Sequence, residues 1–220
     1  MNLYPVYLSL RGVRCLVVGG GSVALRKVAS LVACGAAVTV VSPDLCAGLT
    51  NLSRLGRIRC RRQRYGRRHI SGQRLVVAAT NDPGVNAQVS KEARQQGALV
   101  NVVDAPALCT VFIPSVIRVN PLVVTVATQG RFPGLAKKMR LELTPLMRGY
   151  AKQVRVLARL RDAVKNSSLT AGQRQRLIRA LLSSRVMSRV ESGRIRTMQD
   201  LIGHAGMPRS ARSNHKAGIE

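Results

Sequence analysis

The sequence predicts an α/β fold: a parallel sheet crossed by helices, then a small pair of strands, then a wholly helical C-terminal region. Three observations carry that prediction. An apolar run, Arg14 to Val18, meets three glycines and continues into a segment with helical spacing. Further apolar stretches, AVTVV, RLVVAA and LVNVV, recur between helical or turn-rich segments, the alternation that builds parallel sheets with right-handed crossovers. After Pro114 the pattern changes to two β-branched runs, and from Tyr150 onward only helical spacing is left.

Each element has a local reason. Arg14 to Val18 reads as a buried strand and Val23 to Ala33 as a helix stopped by Gly35. Ala37 to Val41 is a second strand, ended by Ser42-Pro43-Asp44, and Ile58 to Arg64 a short third one at the sheet edge. Arg74 to Ala79 is a stronger strand. Asp82 then caps a helix, with Pro83 at its first position, where the missing N–H costs nothing. That helix runs to about Gln96 before Gly97, and Leu99 to Val103 follows as a strand ending at Asp104. Val116 to Arg118 and Leu122 to Ala127 pair across Asn120-Pro121. Helices are expected over Leu135 to Met147, Tyr150 to Val164, Gly172 to Ser184 and Met198 to Ile202, followed by a polar, basic tail. These breaks divide the chain at 1–113, 114–149, 150–203 and 204–220, the last expected to be disordered.

Composition narrows the function. The chain has 220 residues, 46% of them hydrophobic, enough for a substantial core. The N-terminus lacks a basic stretch ahead of an apolar one, and no apolar run reaches about 18 residues, so neither a secretory signal nor a spanning helix is expected. Five scattered cysteines without a CxxC pair fit a reducing cytoplasm, and three histidines without ligand spacing give no zinc site. Thirty-six Lys and Arg against nine Asp and Glu, net +27, attract polyanions. The charge concentrates between Arg54 and Arg74, where Tyr65 is the one aromatic; nucleic-acid grooves interleave more of them, so a solvated basic face is the better reading and nucleic acid is not an expected partner.

The glycine loop carries the first chemistry. VVGGGSVA fits G-x-G-x-x-A with Gly19, Gly21 and Ala24 at the key positions. Gly19 permits the turn off the strand, Gly21 lets the backbone approach a pyrophosphate, and Ala24 lets helix and sheet pack closely. The helix opening at Ser22 and Val23 offers unpaired amides to phosphates. This is a Rossmann-type dinucleotide site. Asp44, just beyond the second strand, either accepts from the adenosine ribose, which favours NAD over NADP, or serves the backbone of its own turn. Both readings stand. Thr80 and Asp104 end two further strands on the same side of the sheet. Asp104 is the single carboxylate between Glu92 and Glu142; in a partly dry cleft such an acid has a raised pKa and moves protons. By pattern alone, a turn-forming Asp ahead of Pro106 is the stronger reading.

Four blocks in order, GGGSVALRK, AATNDPGVN, NVVDAPALCTVFIPSVI and TQGRFPGLAKKMR, resemble the siroheme synthase N-terminal module, from about Tyr4 to Leu160. The resemblance implies NAD-dependent oxidation of precorrin-2 to sirohydrochlorin, then Fe²⁺ insertion to siroheme, with the metal as substrate and not as a bound cofactor. It also implies a homodimer of Rossmann domain, dimerisation segment and helical domain, in a stand-alone form without a methyltransferase. It places NAD contacts at Ser22-Val23 and Pro43-Asp44, and the acid acting in both steps at Asp104, which reverses the turn reading. The family's S-S-G-G-x-S-P loop reads here Thr128-Gln129-Gly130-Arg131-Phe132-Pro133, so Gln129 and Phe132 replace small residues and Thr128 stands at a serine modified in some members. Two rival readings remain in the sequence: a dehydrogenase without chelation, and a non-enzymatic dinucleotide-binding module with a basic surface for nucleic acid.

Overall fold

A computed structural model of the chain describes residues 3–128 and 132–205. It divides into two compact units, the first ending at Ile113 and the second beginning at Pro114. Gln129, Gly130 and Arg131 of the expected small-residue loop, and the tail after residue 205, lie outside the described residues.

In the first unit β1 (Arg14–Val18), β2 (Ala37–Val41), β3 (Arg59–Arg61), β4 (Leu75–Ala78) and β5 (Leu99–Val102) form one parallel sheet in the order β3-β2-β1-β4-β5. Alternate side chains of the central strands serve opposite layers, so both faces need apolar residues and the strands read as continuous hydrophobic runs. Cys15, Val17, Val38, Val40, Leu75 and Val77 pack with Ala24, Val28 and Leu31 of α1 (Ser22–Ala33). Leu16, Val18, Val76, Ala78, Val100 and Val102 pack with Val89 and Ala93 of α3 (Pro83–Gln95). Each fully buried Val or Leu contributes about 1.5–3 kcal/mol, so the two layers dominate the stability of this unit. Asp82 caps α3 as expected, its Oδ1 accepting from the amides of Gly84 (2.8 Å) and Val85 (3.1 Å).

Two short elements differ from expectation. β3 covers three residues rather than Ile58 to Arg64, and α2 (Ala47–Arg54), absent from the sequence reading, connects β2 to it. Gly48, Thr50, Asn51 and Ser53 are weak helix formers, and α2 is held by burying Leu49 rather than by propensity. The open edge of β5 is covered by the returning chain: Thr110 N and Val111 N both donate to Val100 O, and Asn101 Nδ2 donates to Val111 O.

In the second unit β6 (Ser115–Val119) and β7 (Leu122–Val126) form an antiparallel hairpin across a cis Asn120-Pro121 peptide. The helices expected over Leu135 to Met147 and Tyr150 to Val164 are one helix, α4 (Pro133–Lys165), which runs unbroken through Arg148 and Gly149. Pro145 removes a single ladder donor, and the rest of the turn survives; Thr144 Oγ1 meanwhile donates to Arg140 O at 2.6 Å. Leu160 and Val164 of α4 are buried with Leu177 and Leu181 of α5 (Ala171–Leu181), Val186 and Val190 of α6 (Ser184–Glu191), and Leu201 and Ile202 of α7 (Met198–His204). The sequence reading had no α6, whose start is marked by the Ser183 cap on Val186 N. Among the described residues no helix is long and apolar enough to cross a membrane.

Candidate active site

The glycine loop is built by three different demands. Gly19 turns off β1 with φ +124°, and a Cβ there would run into the Ala79 carbonyl. Gly20 lies against the next loop: its carbonyl accepts from Cys46 N at 2.8 Å, and a Cβ would collide with the carbonyl of Asp44. Gly21 has an ordinary φ of −86°, and a Cβ there would meet nothing within 4 Å. Neither backbone nor packing asks for glycine at 21. The open space in front of it fits a group that approaches the main chain closely, as a diphosphate does. Gly21 is also the N-cap of α1, so the amides of Ser22 and Val23 carry the partial positive charge of the helix start. Ala24 is fully buried against the sheet, as close helix packing requires.

Beyond β2, Pro43 and Asp44 are exposed, with Asp44 held through its carbonyl beside Gly20. Beyond β4, Thr80 is fastened by Asn86, a buried residue of α3. Beyond β5 the chain turns at Asp104, whose φ of +57° makes it the one non-glycine residue with positive φ among those described. Asp tolerates this region better than most residues, yet it still costs about 1–3 kcal/mol, and such outliers gather at functional sites. The Cys109 thiol spans the turn, accepting from Val102 N at 3.1 Å with Ala105 O 3.4 Å away. Cys109 is thus a brace for the loop of Asp104.

Asp104 is exposed, which corrects the expectation of a partly dry carboxylate. Its strand ends on the open side of the sheet, with only the short turn at Pro106–Leu108 beyond it. Lys27, on α1, feels it: burial and Arg26 lower the ammonium's pKa, while Asp104 and Cys109 oppose that shift.

All eight residues expected at the site, Gly19, Gly21, Ser22, Val23, Pro43, Asp44, Thr80 and Asp104, line one cavity of about 1220 Å³ at the C-terminal ends of the strands. It spans the point between β1 and β4 where strand order reverses, the place where open α/β sheets bind ligands. Arg64, Tyr65, Asn86 and Leu108 line it too and were missed by sequence reasoning. Asn86 had a legible signal, a polar residue between Val85 and Val89 on the inward side of a helix. Arg64 had none, being one of many arginines in its run. Tyr65 is pinned: its hydroxyl donates to Glu92 Oε2 at 2.6 Å, and burial together with Glu92 pushes its pKa up. No three His, Cys, Asp or Glu side chains come together as a metal set among the described residues.

Comparison with known proteins gives the same picture. Residues 6–115, half of the 220-residue chain, match the model of an NAD(P)-binding family. The chain is 38% identical over 211 residues to the siroheme synthase of Methylobacillus flagellatus, covering 94% of this chain and 45% of that protein. It is 45% identical over 166 residues to the siroheme synthase of Pseudomonas entomophila, covering 75% of this chain and 36% of that protein. The chain thus spans less than half the length of these relatives. A solved structure titled SirC, precorrin-2 dehydrogenase, shares the fold with a TM-score of 0.74 at 24% identity, covering 92% of this chain and 98% of that one. The resemblance to siroheme synthase read from the ordered sequence blocks is therefore borne out, and by its matched half and its glycine-loop geometry the chain belongs to the NAD(P)-binding family.

Proposed function

We propose that this chain is an NAD-dependent dehydrogenase that oxidises precorrin-2 to sirohydrochlorin in siroheme biosynthesis. Similarity to siroheme synthases supports the substrate class, and one observation carries the site: a left-handed, exposed Asp104 shares a cavity with the open face of Gly21. The amides of Ser22 and Val23, with the bare backbone at Gly21, hold the diphosphate. Pro43 and Asp44 receive the adenosine ribose, and Thr80, locked by Asn86, forms the opposing wall. When bound, NAD⁺ supplies the two-electron acceptor for the macrocycle. The oxidation also releases a proton, and Asp104 takes it and passes it to water, which its exposure allows.

The same acid suits a second step. Fe²⁺ entering sirohydrochlorin displaces two pyrrolic protons, and Asp104 accepts them in turn. We propose a homodimer, with residues 114–149 as the dimerisation segment and the helices to residue 203 as a separate domain. Leu135, Met139, Leu146 and Tyr150 support that reading, forming an exposed apolar row along α4. A cytoplasmic location follows from the pathway. The decisive experiment is NADH formation on adding precorrin-2; no NADH above a substrate-free control overturns the assignment. Incubation with sirohydrochlorin and Fe²⁺ without NAD tests chelation separately, and a rate equal to the metal-only control leaves a dehydrogenase alone.

A further inference from the structure

Helix α3 carries a row of polar side chains, Asn86, Ser90 and Arg94, spaced four residues apart and so on one face. The first of them fastens Thr80, on the cofactor side of the cleft. The other two reach the loop after β5. Ser90, only 2% exposed, donates from Oγ to Leu108 O at 2.7 Å, and Arg94 Nη2 donates to Ala107 O at 3.2 Å. Both carbonyls belong to the short turn Pro106–Leu108, which is closed from within by Leu108 N donating to Ala105 O at 3.0 Å and Cys109 N donating to Pro106 O at 3.1 Å. Asp104 stands two residues before that turn, and Asp104, Ala105 and Leu108 line the cavity together. Ser90 itself is not one of the lining residues.

A left-handed Asp persists only where its surroundings hold it, because the backbone there is strained. The bonds from α3 fix the turn that follows, and a buried carbonyl that loses its donor has no water to turn to. An acid that moves protons must stand about 3 Å from the atom it serves, and a 1 Å misplacement costs about a hundredfold in rate. We propose that Ser90 is a positioning residue for the oxidation: through the Leu108 carbonyl it sets where Asp104 stands relative to the cofactor wall, with Arg94 assisting from the exposed side. One helix face then fixes both sides of the cleft, the cofactor side through Asn86 and the acid side through Ser90. The inference rests on reading the chain as a dehydrogenase that uses Asp104, and it adds a residue acting on that acid from behind the cavity wall.

Two variants of nearly equal shape isolate the hydroxyl. Ser90→Thr keeps it and Ser90→Val does not, while both crowd the same buried place. With the full chain, NADH formation is followed at saturating NAD⁺ over a range of precorrin-2, and NAD⁺ affinity is measured by calorimetry without substrate. Ser90→Val is expected to lose about ten- to a hundredfold in kcat with the NAD⁺ Kd unchanged, and Ser90→Thr to keep most of the parent kcat. Arg94→Ala, at an exposed position where folding is not at risk, is expected to lose kcat by a smaller factor with the same unchanged Kd. Equal kcat in Ser90→Thr and Ser90→Val overturns the proposal while leaving the dehydrogenase standing. So does a fall in NAD⁺ affinity that matches the fall in kcat, since the helix then merely holds the whole cleft together. Should Ser90→Val not fold, Arg94→Ala decides alone, and a parent-like kcat there overturns the proposal. A parent chain that forms no NADH with precorrin-2 removes the dehydrogenase reading itself, and this inference with it.

Discussion

Thr80 and Asn86 clasp each other across the turn between β4 and α3. Asn86 Nδ2 donates to Thr80 O at 3.0 Å, Thr80 Oγ1 donates to Asn86 Oδ1 at 2.8 Å, and Thr80 N donates to the same oxygen at 3.4 Å. Asn86 is buried, so both ends of its amide are satisfied by one residue of the cleft wall. Asn86→Ala leaves the Thr80 carbonyl and hydroxyl without these partners, and we expect a loss of about 1–3 kcal/mol in stability. NAD affinity should fall with it. Chemical denaturation and a cofactor titration check both; unchanged values in each would mean that the clasp does not shape the wall.

Adjacent glycines are expected to fail in opposite ways. Gly20→Ala drives a methyl group into the Asp44 carbonyl, so the loop must shift and the protein should be destabilised. Gly21→Ala meets no protein atom, so the chain should fold with its normal melting temperature. Its methyl group instead stands where the diphosphate approaches, and NAD binding should weaken by tenfold or more. Gly21→Asp, which adds a negative charge, should weaken it further. Melting curves and cofactor titrations on the pair separate the two effects, and unchanged NAD affinity in Gly21→Asp would remove the loop from the binding site.

Asp104 allows stability and chemistry to be separated. Asn accepts the left-handed region nearly as well as Asp, so Asp104→Asn should melt close to the parent while losing dehydrogenation almost completely. Asp104→Gly should be equally inactive yet gain up to about 1 kcal/mol, because glycine has no Cβ to strain. NAD affinity should survive in both. Full turnover in Asp104→Asn would take this residue out of the reaction.

A buried histidine makes the same unit sensitive to acid. His69 Nδ1 accepts from Gly66 N at 3.0 Å, and Nε2 lies 2.5 Å from Gln63 Nε2. Burial lowers its pKa, and Arg68 and Arg61 lower it further against the Gly66 contact. The unfolded chain therefore binds a proton more readily than the folded one. Stability should be full above the ordinary imidazole value of about 6.5 and decline as pH falls from there through the lower folded value. His69→Gln should flatten that decline. Denaturation midpoints measured against pH for both chains decide it, and parallel curves would show that another group is responsible.

Much of this architecture could be read in advance because the signals were local. A strand buried on both faces looks apolar throughout, as in Arg14 to Val18, and Asp82-Pro83 announces a helix start by chemistry within three residues. The residues expected at the site were legible for the same reason: they sit where strands end, and parallel strands end on one side. What stayed hidden depends on distant partners. α2 forms because Leu49 finds the core, and α4 continues through Arg148 and Gly149 because the helix packs on the hairpin and the later helices. Tyr65 looked like a stray aromatic in a basic run, until Glu92 on α3 gave it a partner 27 residues away. Nor could spacing show that Asp104 stands in water.

The interlock of Gly20 with the carbonyl of Asp44 and the amide of Cys46 has a practical consequence for redesign. The glycine loop and the loop after β2 behave as one part, so a loop transplanted from another protein must reproduce that backbone junction before any of its new side chains can matter.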